Sequence, residues 1–103
     1  MPIAIFKIDT IYRDEDGNLC FKVPEEQRVY DRDLEEEIDS VCISLEIQAG
    51  KEEILNIFKG AYAKEDFKPY TKKELDYVFS RFVFSLGEEI KLPRPVYVRI
   101  GYR

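Results

Sequence analysis

The chain has 103 residues, 45% of them hydrophobic and 36% charged, which is typical of one folded domain spanning residues 1–103. Its net charge of −5 argues against nonspecific binding of DNA or anionic membrane by the whole surface. No apolar run approaches the roughly 20 residues needed to cross a bilayer, and the N-terminus lacks signal-peptide features, so we expect a cytoplasmic protein with no membrane partner.

Several kinds of functional site are excluded by composition. There is no histidine, which rules out the Ser–His and Cys–His pairs of nucleophilic catalysis. The two cysteines fall short of the four ligands of a usual zinc site, and the acidic stretches lack the glycine and final glutamate of a calcium loop. No glycine-rich phosphate loop occurs. We therefore expect a non-enzymatic protein with no catalytic residue, no metal and no cofactor.

Residue usage indicates a thermophilic source. Glu, Lys and Ile are abundant and thermolabile residues are few, a bias that fits a small accessory protein of a thermophilic archaeon or its virus. Cys20 and Cys42 have two interpretations. They would be free thiols in an ordinary cytosol, whereas an internal disulfide is permitted in a hyperthermophile.

The first two predicted strands form a hairpin. Residues 2–13 are rich in β-formers, and residues 19–23 alternate apolar and polar side chains until Pro24 ends the pairing. Between them, Asp16-Gly17 is a strong turn signal. The pattern of the first strand is irregular at Ile5 and Phe6, which indicates a bulge or a strand buried on both faces.

The acidic segment 25–39 has two possible conformations. One is a short helix with an aspartate N-cap and an inward apolar pair. The other is a loop with an edge segment at residues 28–30. The residues of the helical interpretation are the caps Asp31 or Asp33, the end Glu37, and the inward-facing Leu34 and Ile38.

Residues 41–48 alternate with a period of two, which predicts a strand with one buried face. Gly50 ends this strand, and helical spacing begins at Lys51 and continues through Ile54 and Phe58 to Ala61. Because the strand leads directly into a helix, we expect it to lie near the centre of the sheet.

A second helix is predicted over residues 72–86. Thr71 and Glu74 have the spacing of a capping box, Tyr70 and Leu75 that of a hydrophobic staple, and Gly87 is a good C-terminal stop. The predicted buried stripe consists of Leu75, Val78, Phe79, Phe82, Val83 and Leu86.

The last predicted strand covers residues 96–102, after two prolines that forbid a helix. The fold class is therefore α+β, a single sheet of about four mainly antiparallel strands with two helices packed on one face. The other face would be open and would carry Cys42, Ser44, Glu46, Gln48, Tyr97 and Arg99.

Two surfaces are candidates for function. Arginine and tyrosine together can hold phosphates and stack on bases, and acidic clusters can bind a basic protein. The interaction or nucleic-acid surface comprises Arg94, Tyr97, Arg99, Tyr102 and Arg103, and the acidic docking surface comprises Glu35, Glu36, Glu37 and Asp39. We expect a protein–protein interaction module, most simply a homodimer or a partner of a basic protein. The alternative is single-stranded nucleic-acid binding by the C-terminal strand.

Overall fold

The computed structural model describes residues 2–45, 52–53, 56, 70–84 and 86–103. These residues form a four-stranded antiparallel sheet, a two-stranded sheet and one α-helix, so the α+β class is confirmed. In chain order, the elements are β1 (Ile3–Arg13), β2 (Leu19–Lys22), a 3-10 helix (Glu25–Gln27), β3 (Tyr30–Asp31), β4 (Glu36–Glu37), β5 (Ser40–Ile43), α1 (Lys72–Phe84) and β6 (Ile90–Gly101).

Only one of the two predicted helices can be compared in full. The helix expected from Lys51 onward falls mostly outside the described residues, of which Glu52, Glu53 and Asn56 have helical backbone. The other, α1, begins at Lys72 as predicted and ends at Phe84. Its start is the predicted capping box, since the Thr71 amide donates to Glu74 Oε1 (3.0 Å) and the Glu74 amide to Thr71 Oγ1 (3.2 Å).

The strand order of the main sheet is β5-β2-β1-β6. The central position predicted for the strand that begins near Val41 is therefore wrong for its described part, because among the described strands β5 lies at the edge of the sheet beside β2. The centre is instead β1, which pairs with β6 from Ile3 to Ile11 and with β2 at its C-terminal end. The rest of the predicted strand, residues 46–48, lies outside the described residues.

Helix α1 covers one face of the sheet, which we call the inner face. Val78 and Phe82 of the helix are buried there, as the stripe predicted, and Leu75 and Phe79 pack partly against the same core. Val83 is 40% exposed because it lies about 100° around the helix from Phe82. Leu86 is 62% exposed because the helix has already ended. The strand residues of this core are Phe6, Ile8, Ile11, Leu19, Phe21, Val23, Ile90, Leu92, Val96 and Val98.

The helix considered for the acidic segment is wrong. Asp31 Oδ1 accepts the amides of Asp33 (2.8 Å) and Leu34 (3.3 Å), which folds a turn between β3 and β4. Glu35 has a φ of 55°, a left-handed conformation that no helix continues through. Leu34 is consequently 61% exposed, whereas Ile38 is buried as predicted. The structure is closer to the alternative of a loop with an extended edge.

The irregularity of β1 occurs three residues beyond the predicted point. Ile8 pairs with Val96 and Thr10 with Lys91, so one residue of β1 faces four residues of β6. Those four include Pro93 and Pro95, which have no amide hydrogen to donate to the ladder. At the predicted point, Phe6 is buried on the inner face while Ile5 is half exposed, so β1 is not buried on both faces.

Substitution of Phe82 tests the packing of α1 against the sheet. Phe82→Ala should lower the free energy of unfolding by roughly 3–5 kcal/mol, since it removes a buried ring and leaves a cavity between α1 and the sheet. Val83→Ala, at the exposed neighbouring position, is the matched control and should cost less than about 1 kcal/mol. Urea unfolding of both variants measures the difference. Equal losses would show that the ring does not pack as described.

Candidate interaction surface

The sheet face opposite α1, the outer face, carries a small grid of half-exposed side chains on β1 and β6. Ile3 is 53% exposed and Ile5 50%, and because they are two residues apart on β1 they lie side by side on this face. The cross-strand register is Ile3 opposite Gly101, Ile5 opposite Arg99 and Lys7 opposite Tyr97. We call these six residues the outer patch.

Backbone hydrogen bonding explains why the side chains of the outer patch lie close together across the two strands. The Tyr102 amide donates to the Pro2 carbonyl (3.0 Å). The amide and carbonyl groups of the even-numbered residues at this end of β1 therefore point toward β6 and form the hydrogen bonds of the ladder. The outer-patch pairs are therefore the non-hydrogen-bonded pairs of the ladder, whose side chains approach more closely. The Lys7 backbone points the other way, where the Gln27 side chain binds both its amide (2.7 Å) and its carbonyl (3.0 Å).

The same hydrogen-bond pattern leaves some backbone groups of β6 pointing toward the edge of the sheet. The backbone groups of Arg99 and Gly101 point away from β1. Each end of this edge is closed: the Arg103 carbonyl accepts the Arg32 amide (2.6 Å), and the Arg94 carbonyl accepts the Tyr70 hydroxyl. Among the described residues, the part of the β6 edge between these two contacts is short and centred on Arg99.

Arg94 is separated from the other predicted surface residues. Its guanidinium binds both carboxylate oxygens of Glu74, with Nε–Oε2 at 2.8 Å and Nη2–Oε1 at 3.1 Å, and lies 4.9 Å from the centre of the Tyr70 ring. The hydrogen bonds from Arg94, followed by that from the Thr71 amide, hold the pKa of Glu74 below its usual value. Arg94 thus links β6 to the start of α1. Sequence reasoning missed Glu74 as its partner because it already had a role as a capping residue.

Tyr102 and Arg103 lie at the end of β6 beside the β3–β4 hairpin. Tyr102 is half-buried on the inner side, in line with the buried Val96 and Val98. Arg103 Nε is 3.6 Å from Asp33 Oδ2 of the same chain, and both side chains are largely exposed. An open groove of about 910 Å³ separates the two elements; its lining residues are Pro2, Tyr30, Arg32, Asp33, Tyr102 and Arg103. Of the five predicted residues, only Tyr97 and Arg99 therefore share the outer patch.

The predicted acidic surface is present as exposed carboxylates. Glu35 lies at the hairpin turn, Glu36 and Glu37 form β4, and Asp39 follows; all four side chains are exposed. The Arg32–Arg103 hydrogen bond and the Arg103–Asp33 ion pair fasten this hairpin to the end of β6. The hairpin that carries the acidic surface is therefore held at the end of the strand that carries Tyr97 and Arg99.

The outer face also carries cations that sequence reasoning did not group. Lys22 of β2 and Lys91 of β6 alternate with buried inner-face residues, which places them on the same face as Lys7 and Arg99. Lys22 is paired with Glu89. The alternation of apolar and polar side chains in β2 and β6 can be recognised in the sequence. Only the strand order shows that the four cations share a face.

The predicted open face is present in part. Cys42 of β5 is exposed on the outer face, and Ser44 is exposed beyond the end of β5. Glu46 and Gln48 lie outside the described residues. Across the described ranges, no helix is both long and apolar enough to cross a membrane.

Comparison with known proteins adds no family to this description. No protein-family model matches the chain, and no significant match is found among curated proteins or among solved structures. The chemistry of the surface is therefore the ground for assigning a function. Tyrosine and arginine side chains beside exposed aliphatic ones on a sheet face are of the kinds enriched where proteins meet.

The Glu74–Arg94 pair predicts a pH dependence of stability. Because folding lowers the pKa of Glu74 from about 4.5, its contribution is fully present above that pH and is lost as the pH falls through the lowered value. The difference in unfolding free energy between wild type and Glu74→Gln should therefore be largest near neutral pH and shrink below about pH 4.5. Glu88→Gln, at an exposed position, is the matched control. A wild-type–Glu74→Gln difference that is the same at all pH values would contradict the pairing.

Proposed function

We propose that the protein is a non-enzymatic protein–protein interaction module that forms a homodimer through its outer patch. The observation that carries this proposal is the pair of half-exposed isoleucines, Ile3 and Ile5, flanked across the strand by Arg99. Exposed aliphatic side chains on a regular strand favour burial against a second surface, and arginine is enriched where proteins meet.

The charge distribution supports a second copy of the chain as the partner. A two-fold interface is self-complementary, so each patch must meet its complement on the other subunit. Here Arg103, at the end of the strand that carries Arg99, is paired with Asp33 of the hairpin that bears the acidic residues 35–37. Rotation by a two-fold axis brings the arginine of each subunit to the acidic hairpin of the other, with the isoleucines between them.

Face-to-face packing is favoured over pairing of the two β6 edges. The accessible edge is centred on Arg99, so antiparallel pairing of two such edges places the two Arg99 side chains directly opposite each other. Like charges at directly opposite strand positions are destabilising. An arginine at the middle of an exposed edge is instead a common device against edge-to-edge association.

Single-stranded nucleic-acid binding is the second candidate. It is favoured by the four cations of the outer face, Lys7, Lys22, Lys91 and Arg99, on a chain whose net charge is −5. It is weakened by the positions of the tyrosines, since Tyr97 lies on the outer face but Tyr102 on the inner side. Sheet modules that hold single strands stack two or three bases on neighbouring aromatic rings.

Composition supports two further parts of the proposal. Abundant Glu, Lys and Ile fit an accessory protein of a thermophilic archaeon or its virus, and the lack of an apolar run long enough to span a bilayer fits a cytoplasmic location. A basic protein that binds the acidic surface is compatible with the same scheme.

Sedimentation of the full chain and its variants tests the dimer. Ile5→Lys should raise the dimer dissociation constant at least about tenfold, since it places an unpaired cation in the apolar centre of the interface. The double change Arg99→Glu with Arg103→Glu should also favour the monomer, and to a smaller extent at high salt. Val83→Lys, at a 40%-exposed apolar position on α1, is the matched control and should leave the dimer intact.

A labelled single-stranded oligonucleotide separates the two candidates. Under the dimer proposal the wild type sediments as a dimer and does not bind the oligonucleotide. If Arg99→Glu abolishes oligonucleotide binding without changing the oligomeric state, nucleic-acid binding replaces dimerisation as the proposed function. A wild-type monomer at micromolar concentration that binds no oligonucleotide would overturn both.

A further inference from the structure

A cluster of sulfur and carboxylate atoms lies on the outer face at the opposite end of the sheet from the outer patch. Cys20 of β2 and Cys42 of β5 face each other across the strands and form a disulfide. Asp14 Oδ2 is 3.7 Å from Cys20 Sγ. One ligand atom from each of these three residues lies within 4.8 Å of the others.

The positions of all three residues follow from the β1–β2 turn and the strand register. Cys20 lies opposite Tyr12 on one side and Cys42 on the other, so the sulfur atoms share the outer face. Asp14 begins the turn and is held there by the amides of Asp16 (3.0 Å) and Asn18 (2.8 Å), which donate to Oδ1. The Asn18 side-chain amide donates to the other oxygen, Oδ2 (3.0 Å), so the turn positions both carboxylate oxygens.

We propose that reduction of the Cys20–Cys42 disulfide turns this cluster into a binding site for a thiophilic divalent cation, zinc above all. The protein ligands are Cys20 Sγ, Cys42 Sγ and Asp14 Oδ2, and a water molecule takes the fourth position. Thiolate sulfur and carboxylate oxygen are both established zinc ligands, and three protein ligands with one water is the arrangement of open zinc sites.

The reaction balances with a thiol or phosphine reductant. A dithiol breaks the S–S bond by supplying two electrons and two protons, and it becomes a disulfide. A phosphine supplies the two electrons and becomes its oxide, while water supplies the oxygen of that oxide and the two protons of the new thiols. Zinc then replaces the two thiol protons, which are released to solvent. A small-molecule disulfide reverses the change by thiol–disulfide exchange: it accepts the two electrons, takes two protons from solvent and leaves as two thiols. The metal is then released, because the re-formed Cys20–Cys42 disulfide provides no thiolate ligand.

The geometry needs little rearrangement. Tetrahedral zinc with bonds of about 2.0–2.3 Å places its ligand atoms roughly 3.5–3.8 Å apart. Asp14 Oδ2 and Cys20 Sγ are already 3.7 Å apart, so the main movement is separation of the two sulfur atoms. Cys42 lies on β5, which is at the edge of the sheet among the described strands and has β2 as its neighbour there. Cys20 is buried and Cys42 exposed, so the open position faces solvent on the Cys42 side.

Cobalt(II) is the probe for this site, since it takes zinc geometries and absorbs light when bound to thiolate. The full chain, reduced by a phosphine under anaerobic conditions, should bind one equivalent of Co²⁺ with a sulfur-to-cobalt charge-transfer band, and Zn²⁺ should displace it. The oxidised chain should show no such band. Circular dichroism of each form confirms that the fold is retained.

Two variants assign the ligands. Asp14→Asn keeps a side-chain oxygen for the turn but removes the charge, and should weaken Co²⁺ binding by about tenfold or more. Asp16→Asn, in the same turn, is the matched control and should bind as wild type. Cys42→Ser, at an exposed edge position, should lose the charge-transfer band of a two-thiolate site.

Two results would overturn the proposal. One is a folded, reduced wild type that takes up no Co²⁺ or Zn²⁺ at micromolar concentration. The other is an unchanged affinity in Asp14→Asn, which would leave only two adjacent thiols without the carboxylate.

Discussion

The long antiparallel pairing between β1 and β6 is the constraint on which the rest of the structure depends. Phe6 and Ile8 of β1 lie opposite Val98 and Val96 of β6, and all four are buried on the inner face. Because side chains alternate between faces, a slip of one residue would move this apolar set to the outer face and is strongly disfavoured. The same register places Ile5 opposite Arg99 on the outer face, so the core determines the composition of the outer patch.

The break in this pairing joins the sheet to the helix. Pro93 and Pro95 interrupt the ladder, and Arg94 between them binds Glu74 at the start of α1. The sequence suggests Arg94 as a cation of the interaction surface, whereas in the structure it makes a contact that holds the fold together. The bulge, the capping box and the ion pair act together, because Glu74 accepts hydrogen bonds from both the Thr71 amide and Arg94. The position of α1 over the inner face, with the outer face opposite it, depends on this junction.

The outer face thereby has two distinct regions. Near β6 it presents isoleucine, tyrosine and arginine, which suit contact with another protein. Near β5 it carries Cys20 and Cys42 with Asp14 beside them, an arrangement suited to redox and metal chemistry. The two proposals are independent, since neither uses a residue of the other. The outer patch lies at the N-terminal end of β1, whereas Cys20 lies opposite Tyr12 near its C-terminal end, so the two regions are at opposite ends of the sheet.

Local signals in the sequence determined the β1–β2 hairpin, the capping box at Thr71 and the alternation of β6, because each depends on residues a few positions apart. They also placed Tyr97 and Arg99 together on an open face. Only the tertiary structure decided that β5 is an edge, that Cys20 meets Cys42, that Ile3 and Ile5 join Arg99, and that Arg94 does not. These outcomes depend on which strands become neighbours. Strand order is set by the free energy of burying the whole inner face. Residues far apart in the sequence contribute to this free energy together, so no short sequence pattern encodes it.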